Sequence, residues 1–150
     1  MPEKLIRLYT RQLLLALEYL HSGSPGIIHH DMKAANILLA NNGQSVSIAD
    51  FGEALESNPD GTYLITRTRI TGTKFHHAPE IFRYLKKTKG FESYDAKIDV
   101  WALGCVVFEM LTGLSTESVV AQQLGNNAQK SSIIYTQYIK LLEVLLAQSS

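Results

Sequence analysis

The window IIHHDMKAANILLANNGQSVSIADFG, residues 27–52, constrains this chain more than any other. Ile37–Leu39 and Val46–Ile48 are β-rich runs, and Asn41-Asn42-Gly43 lies between them. Asn-Gly flanked by apolar runs is a strong short-range signal for an antiparallel hairpin. Hairpin geometry sets the loop before the first strand beside the loop after the second. Asp31, Lys33 and Asn36 lie in the first loop and Asp50 in the second. These four polar residues are therefore expected to converge at one end of the hairpin.

The flanks read as helices. Leu5, Tyr9, Leu13, Leu17 and Leu20 recur at helical spacing, and Leu14 and Ala16 widen the stripe. The spacing predicts an amphipathic helix over about residues 3–22, stopped by Gly23, Pro25 and Gly26. Residues 96–112, with IDVWALGCVVFEML, are apolar on most faces and predict a buried helix ended by Gly113. Residues 53–77 are polar and rich in Thr, with a turn at Asn58-Pro59-Asp60-Gly61. So long a stretch without its own periodicity inside a compact domain is usually functional. A short helix is expected from near Ala78, another over Thr116–Leu124, and a third over Ile133–Leu146. The fold class is mainly α with one small hairpin, and 150 residues suit one domain.

Composition removes several function classes. Apolar residues make up 45% and charged residues 19%, which excludes whole-chain disorder. Fourteen Lys and Arg balance fourteen Asp and Glu, so the chain carries no global field for nucleic acid or anionic membrane. The longest apolar run, Val100–Phe108, is less than half of the roughly twenty residues a membrane-spanning helix needs. The N-terminus has charges within its apolar pattern and no small-residue cleavage site. Cys105, the single cysteine, makes no internal disulfide and reads as a small core residue. A cytoplasmic or nuclear soluble protein is the expectation, with no nucleic-acid or membrane partner.

The hairpin-end residues suit phosphoryl transfer from a nucleotide. One carboxylate orients the attacking hydroxyl, and a second carboxylate with an amide oxygen suits hard Mg²⁺. A lysine offsets phosphate charge, and Gly52 after Phe51 allows a sharp turn at the metal site. Five histidines invite a zinc reading, because His29–His30 and His76–His77 could lie near each other. Adjacent histidines rarely both ligate, and zinc sites want defined spacing with Cys or carboxylate help, so packed and loop histidines are the simpler account. Lys86-Lys87-Thr88-Lys89 reads as solvated surface.

Four elements in order carry a family resemblance. HHDMKAAN resembles the catalytic loop HRDLKxxN, and ADFG resembles the magnesium-binding DFG element. TGTKFHHAPE resembles the end of an activation segment, GTxxYxAPE, and IDVWALGCVVFEMLTG resembles the lobe's central helix. The chain thus resembles the C-terminal lobe of a eukaryotic protein kinase, strongly over residues 3–113 and weakly beyond. The resemblance implies a partial kinase domain over 1–150, a helical lobe with a small β-hairpin at the catalytic loop. It also implies ATP and Mg²⁺ as cofactors and a protein substrate. By resemblance Asp31 is the catalytic base, Lys33 touches the γ-phosphate, Asn36 and Asp50 hold Mg²⁺, and Leu38 floors adenine. His29 and Phe51 resemble a stacked apolar spine, Asp99 the buried acid capping the catalytic loop, and Trp101 a packing residue. Lys33 two residues after Asp31, and Thr73 in TGT as partner of both, imply serine or threonine as the acceptor.

The departures from the family carry expectations too. No Gly-rich phosphate loop, VAIK-like lysine or partner glutamate is present, so the N-terminal lobe is expected to be absent. The late arginine that pairs with Glu80 is also missing. The 150-residue chain is then expected to bind ATP weakly and transfer no phosphate, and its open cleft near Leu38 to favour a covering partner. A non-catalytic half-kinase or pseudokinase acting as a protein-binding module is the alternative, and a metal-binding or structural helical domain the third. His30 stands where the family usually has an arginine that clamps a phosphorylated activation segment, and His76 where it has a bulky aromatic.

Overall fold

The computed structural model describes residues 1–58, 73–81 and 95–124. Helix α1 runs Glu3–His21, with Glu3 placing a negative charge in the first turn, where the helix dipole favours it. Its buried face is Ile6, Tyr9, Leu13 and Leu17. Leu5, Ala16 and Leu20 are half-buried, whereas Leu14, expected to widen the stripe, faces solvent.

Two antiparallel strand pairs follow. Strand β1 (Ile27–Ile28) pairs with β4 (Leu55–Glu56), and β2 (Ile37–Ala40) pairs with β3 (Ser45–Ile48). The β2–β3 register runs from Ile37 opposite Ile48 to Ala40 opposite Ser45. The expected turn closes this hairpin as a short 3₁₀ turn, with Asn41, Asn42 and Gly43 at φ 51°, 54° and 79°. Asn and Gly tolerate that left-handed region best, so the residue types match the turn. The β1–β4 pair was not foreseen, and Leu55–Glu56 falls in the stretch expected to be loop.

Helix α2 spans Lys97–Thr112 and ends where Gly113 turns left-handed at φ 72°, donating its N–H to Glu109. Helix α3 covers Thr116–Leu124 as expected. Six residues of α2 are buried, but Val100 and Leu111 stay exposed, so this helix is less enclosed than its composition implied. The main core joins Leu13 and Leu17 of α1, Met32, and Ala102, Leu103 and Val106 of α2. Ile37, Val46 and Ile48 pack the hairpin on that core, while Leu38 and Leu39 stay exposed. A second cluster links Ile28, Ala78, Ile81 and Ile98, and a third pairs Cys105 with Val120.

Residues 79–81 form a helical turn at the expected helix start. The continuation of that helix, most of the Thr-rich stretch, the lysine run at 86–89 and the helix expected over Ile133–Leu146 lie outside the described residues. Among the described residues no helix is long and apolar enough to cross a membrane.

Candidate active site

Asp99 organises the site from beneath. It sits in the first turn of α2, is 1% exposed, and its carboxylate accepts three hydrogen bonds. The His29 N–H donates to Oδ2 at 2.8 Å, the His30 N–H to Oδ1 at 2.9 Å, and His21 Nε2 lies 2.9 Å from Oδ2. A buried backbone N–H left without a partner is costly, so this one side chain fixes the path of the loop above it. That path is unusual: His30 adopts φ 69°, a region few non-glycine residues visit.

His29 then ties the loop to the hairpin. It is fully buried, its Nε2 lies 3.0 Å from the Ala49 carbonyl, and its ring meets Phe51 edge-on at 4.9 Å between centroids. The Asp31 N–H turns back to His29 Nδ1 at 3.3 Å.

The Asp31 side chain emerges from this frame with both oxygens engaged. Oδ1 accepts the Thr73 N–H at 2.8 Å and the Thr73 hydroxyl at 2.9 Å. Oδ2 accepts Lys33 Nζ at 2.7 Å and Asn36 Nδ2 at 3.2 Å, and the same Nδ2 donates to the Asp31 carbonyl at 2.9 Å. Burial alone would push the carboxyl up. The Lys33 ammonium and the two Thr73 donors outweigh it and hold Asp31 below the ordinary carboxylate range. Asp31 is therefore an ionised, oriented acceptor.

Asn36 and Asp50 meet across the open end of the hairpin. The Ala49 N–H donates to the Asn36 carbonyl at 2.9 Å, which sets Asp50 one residue beyond that bond. Asp50 itself makes the sharp turn expected of Gly52, with φ 63°. Gly52 serves close approach instead: a Cβ there would sit 3.2 Å from Asp50 Oδ1, which accepts the Gly52 N–H at 3.3 Å.

The donor set suits a hard cation. Asn36 spends its NH₂ on Asp31, which leaves its amide oxygen as the other end, and Asp50 brings an exposed carboxylate. Mg²⁺ is commonly held by one or two such protein oxygens, with water and phosphate oxygens completing the shell. Among the described residues no group of three or more His, Cys, Asp or Glu is placed to hold a metal, which leaves the zinc reading without a cluster.

The structure thus brings Asp31, Lys33, Asn36 and Thr73 into one hydrogen-bonded set, with Asp50 beside Asn36. Leu38 stands apart, on the outward face of β2 and 55% exposed. His76 replaces the expected aromatic by a buried imidazole whose Nε2 is 3.5 Å from Glu109 Oε1. The same Glu109 oxygen accepts the N–H and hydroxyl of Thr116, at 2.8 and 3.0 Å. Burial raises the Glu109 carboxyl, but His76 and Thr116 outweigh it and hold it below its ordinary range. This node ties residues 73–77 to α2 and α3. Sequence reading missed His21, because a contact 78 residues along the chain leaves no local signal.

The family model for the protein kinase domain matches residues 1–147. The chain is 41% identical over 120 residues to the mitogen-activated protein kinase kinase kinase MST11 of Pyricularia oryzae, covering 75% of this chain and 12% of that protein. It is 41% identical over 119 residues to mitogen-activated protein kinase kinase kinase 20 of Arabidopsis thaliana, covering 79% and 32%. It is 42% identical over 112 residues to the MAP kinase kinase kinase mkh1 of Schizosaccharomyces pombe, covering 74% and 9%. The chain therefore spans less than a third of the length of each of these relatives.

Proposed function

The chain belongs to the protein kinase domain family, and on that premise we propose that it is the catalytic-loop-bearing, C-terminal lobe of a serine/threonine protein kinase. The reaction is transfer of the ATP γ-phosphate to a protein serine or threonine hydroxyl. The observation that carries this reading is Asp31, bracketed by Lys33 at 2.7 Å and the Thr73 hydroxyl at 2.9 Å.

Each residue then has a task. Asp31 accepts the hydrogen of the incoming hydroxyl and aims its oxygen at phosphorus. Lys33 offsets charge on the phosphoryl group as it leaves ADP. Thr73 keeps the Asp31 carboxylate from rotating. Asn36 and Asp50 would hold Mg²⁺, which supplies charge neutralisation on the phosphates when bound. Leu38 offers an apolar surface for the adenine ring. Most of the rate in such a site comes from positioning and electrostatics, not covalent chemistry.

The reading is tested by Mg²⁺-dependent binding of a fluorescent ATP analogue to the 150-residue chain. Weak binding is expected, lost on chelation and in Asp50→Ala. Within the longest natural product that contains this sequence, labelled phosphate should pass to a generic basic protein on serine or threonine, and Asp31→Ala should abolish it. Nucleotide binding indifferent to both Mg²⁺ and Asp50 would refute the assignment. The exposed Leu38 and Leu39 support the competing role, a non-catalytic protein-binding module. That role predicts an Asp31→Ala protein as functional as the wild type.

A further inference from the structure

The candidate site joins two frames, bridged where Asn36 Nδ2 donates to Asp31 and where His29 Nε2 meets the Ala49 carbonyl. Asp31 belongs to the loop held by Asp99 of α2. Asn36 and Asp50 belong to the end of the β2–β3 hairpin. A two-stranded hairpin alone is marginally stable, and here only one face of it rests on a core. Something must set its angle on the helical body.

Three hydrogen bonds from α1 do so, all at the turn end. The Tyr9 hydroxyl donates to the Gly43 carbonyl at 2.5 Å. Gln12 Nε2 donates to the Gln44 carbonyl at 3.1 Å, and Gln12 Oε1 accepts the Val46 N–H at 2.9 Å. Gly43 allows the approach, since a Cβ there would stand 3.3 Å from the Tyr9 oxygen. Tyr9 is 4% exposed, so its ring is anchored in the core while its hydroxyl reaches out to the turn.

We infer that Tyr9 and Gln12 are positioning residues that hold the hairpin's angle from its turn end and so, together with the Asn36–Asp31 and His29–Ala49 bonds, steady the Asn36 and Asp50 oxygens relative to Asp31. The inference rests on the nucleotide reading proposed above. The near end of the hairpin is tied to the loop by the Asn36–Asp31 and His29–Ala49 bonds, and the α1 clamp supplies a second support about 13 Å away, four residues of β2 at about 3.3 Å each. An error of about 1 Å in such a site can cost two orders of magnitude in rate.

The test uses the full 150-residue chain with Tyr9→Phe, Gln12→Leu and Gln12→Glu. Amide hydrogen exchange is first read without metal or nucleotide, at Ala49 for the far end of the hairpin and at Leu103 for the core of α2. The dissociation constant of a fluorescent ATP analogue is then measured across a Mg²⁺ titration. Tyr9→Phe and Gln12→Leu are expected to lower Ala49 protection about tenfold, leave Leu103 unchanged, and raise the Mg²⁺ half-saturation several-fold. Gln12→Glu keeps the acceptor for Val46 and should fall between Gln12→Leu and wild type. Unchanged Ala49 protection, or equal losses at Ala49 and Leu103, would overturn the inference, the second pattern marking a general loss of stability. If wild type bound no nucleotide while the exchange pattern came out as expected, the nucleotide reading would fall and the clamp would stand.

Discussion

Replacing Asp99 should be the most damaging single change to the loop, and its size can be worked from the contacts. Asp99→Ala leaves the His29 and His30 N–H groups without their acceptor, and both residues are buried. Each orphaned buried donor costs about 1–3 kcal/mol, so the pair costs about 2–6 kcal/mol. For a chain of this size about 1 kcal/mol moves the thermal midpoint by about 2–4 °C, so a drop of about 5–20 °C is expected. Asp99→Asn keeps one acceptor oxygen and turns an NH₂ toward the other donor, so it should also destabilise. The assay is thermal and urea unfolding followed by Trp101 fluorescence, with amide exchange read at His29 and His30. A midpoint lowered by less than about 2 °C in Asp99→Ala would refute the argument, because those donors must then have found other partners.

Three other outcomes are expected. Leu17→Ala, at a site 1% exposed in the main core, should cost about 2–5 kcal/mol by urea denaturation, with the m-value unchanged. Asp31 and Glu109 have folded pKa values held below their ordinary range, so their contribution is present above that range and lost as pH falls through the lowered values. Unfolding midpoints should therefore fall on acidification below about pH 4, and Glu109→Gln should flatten part of that fall. Simultaneous replacement of Thr62, Thr66, Thr68 and Thr71 by Ala should leave intact the phosphotransfer proposed for the longest natural product that contains this sequence. His30 cannot fork onto a phosphate as arginine does. Abolished phosphotransfer would disprove that.

Much of the fold was legible because its signals are local. The period of α1 and the Asn-Asn-Gly turn are decided within a few residues, and the hairpin they imply brings Asn36 and Asp50 together. What stayed hidden depends on distant partners. The β1–β4 pair joins two-residue strands about 27 residues apart, too short to show a period. His21 reads as the last residue of a helix until Asp99 is placed beside it. Tyr9 and Gln12 sit within or beside the α1 stripe, and nothing in their spacing shows that their polar ends reach the hairpin turn. Leu14 was misjudged because a stripe drawn from spacing alone does not say how wide the covering surface is.

The Asp99 contacts also govern when the site can exist during synthesis. Its partners lie 69, 70 and 78 residues upstream, so the acceptor for the loop at His29–Asp31 is made long after the loop itself. Closing a span of that length costs about 4 kcal/mol of chain entropy, which is recovered only when α2 docks against α1. A ribosome-bound chain that has emerged only as far as the Thr-rich stretch carries Asp31, Lys33 and Asn36 but not the carboxylate that accepts the His29 and His30 N–H groups. The buried backbone donors of the loop thus gain their acceptor only once the helix that anchors it has been translated.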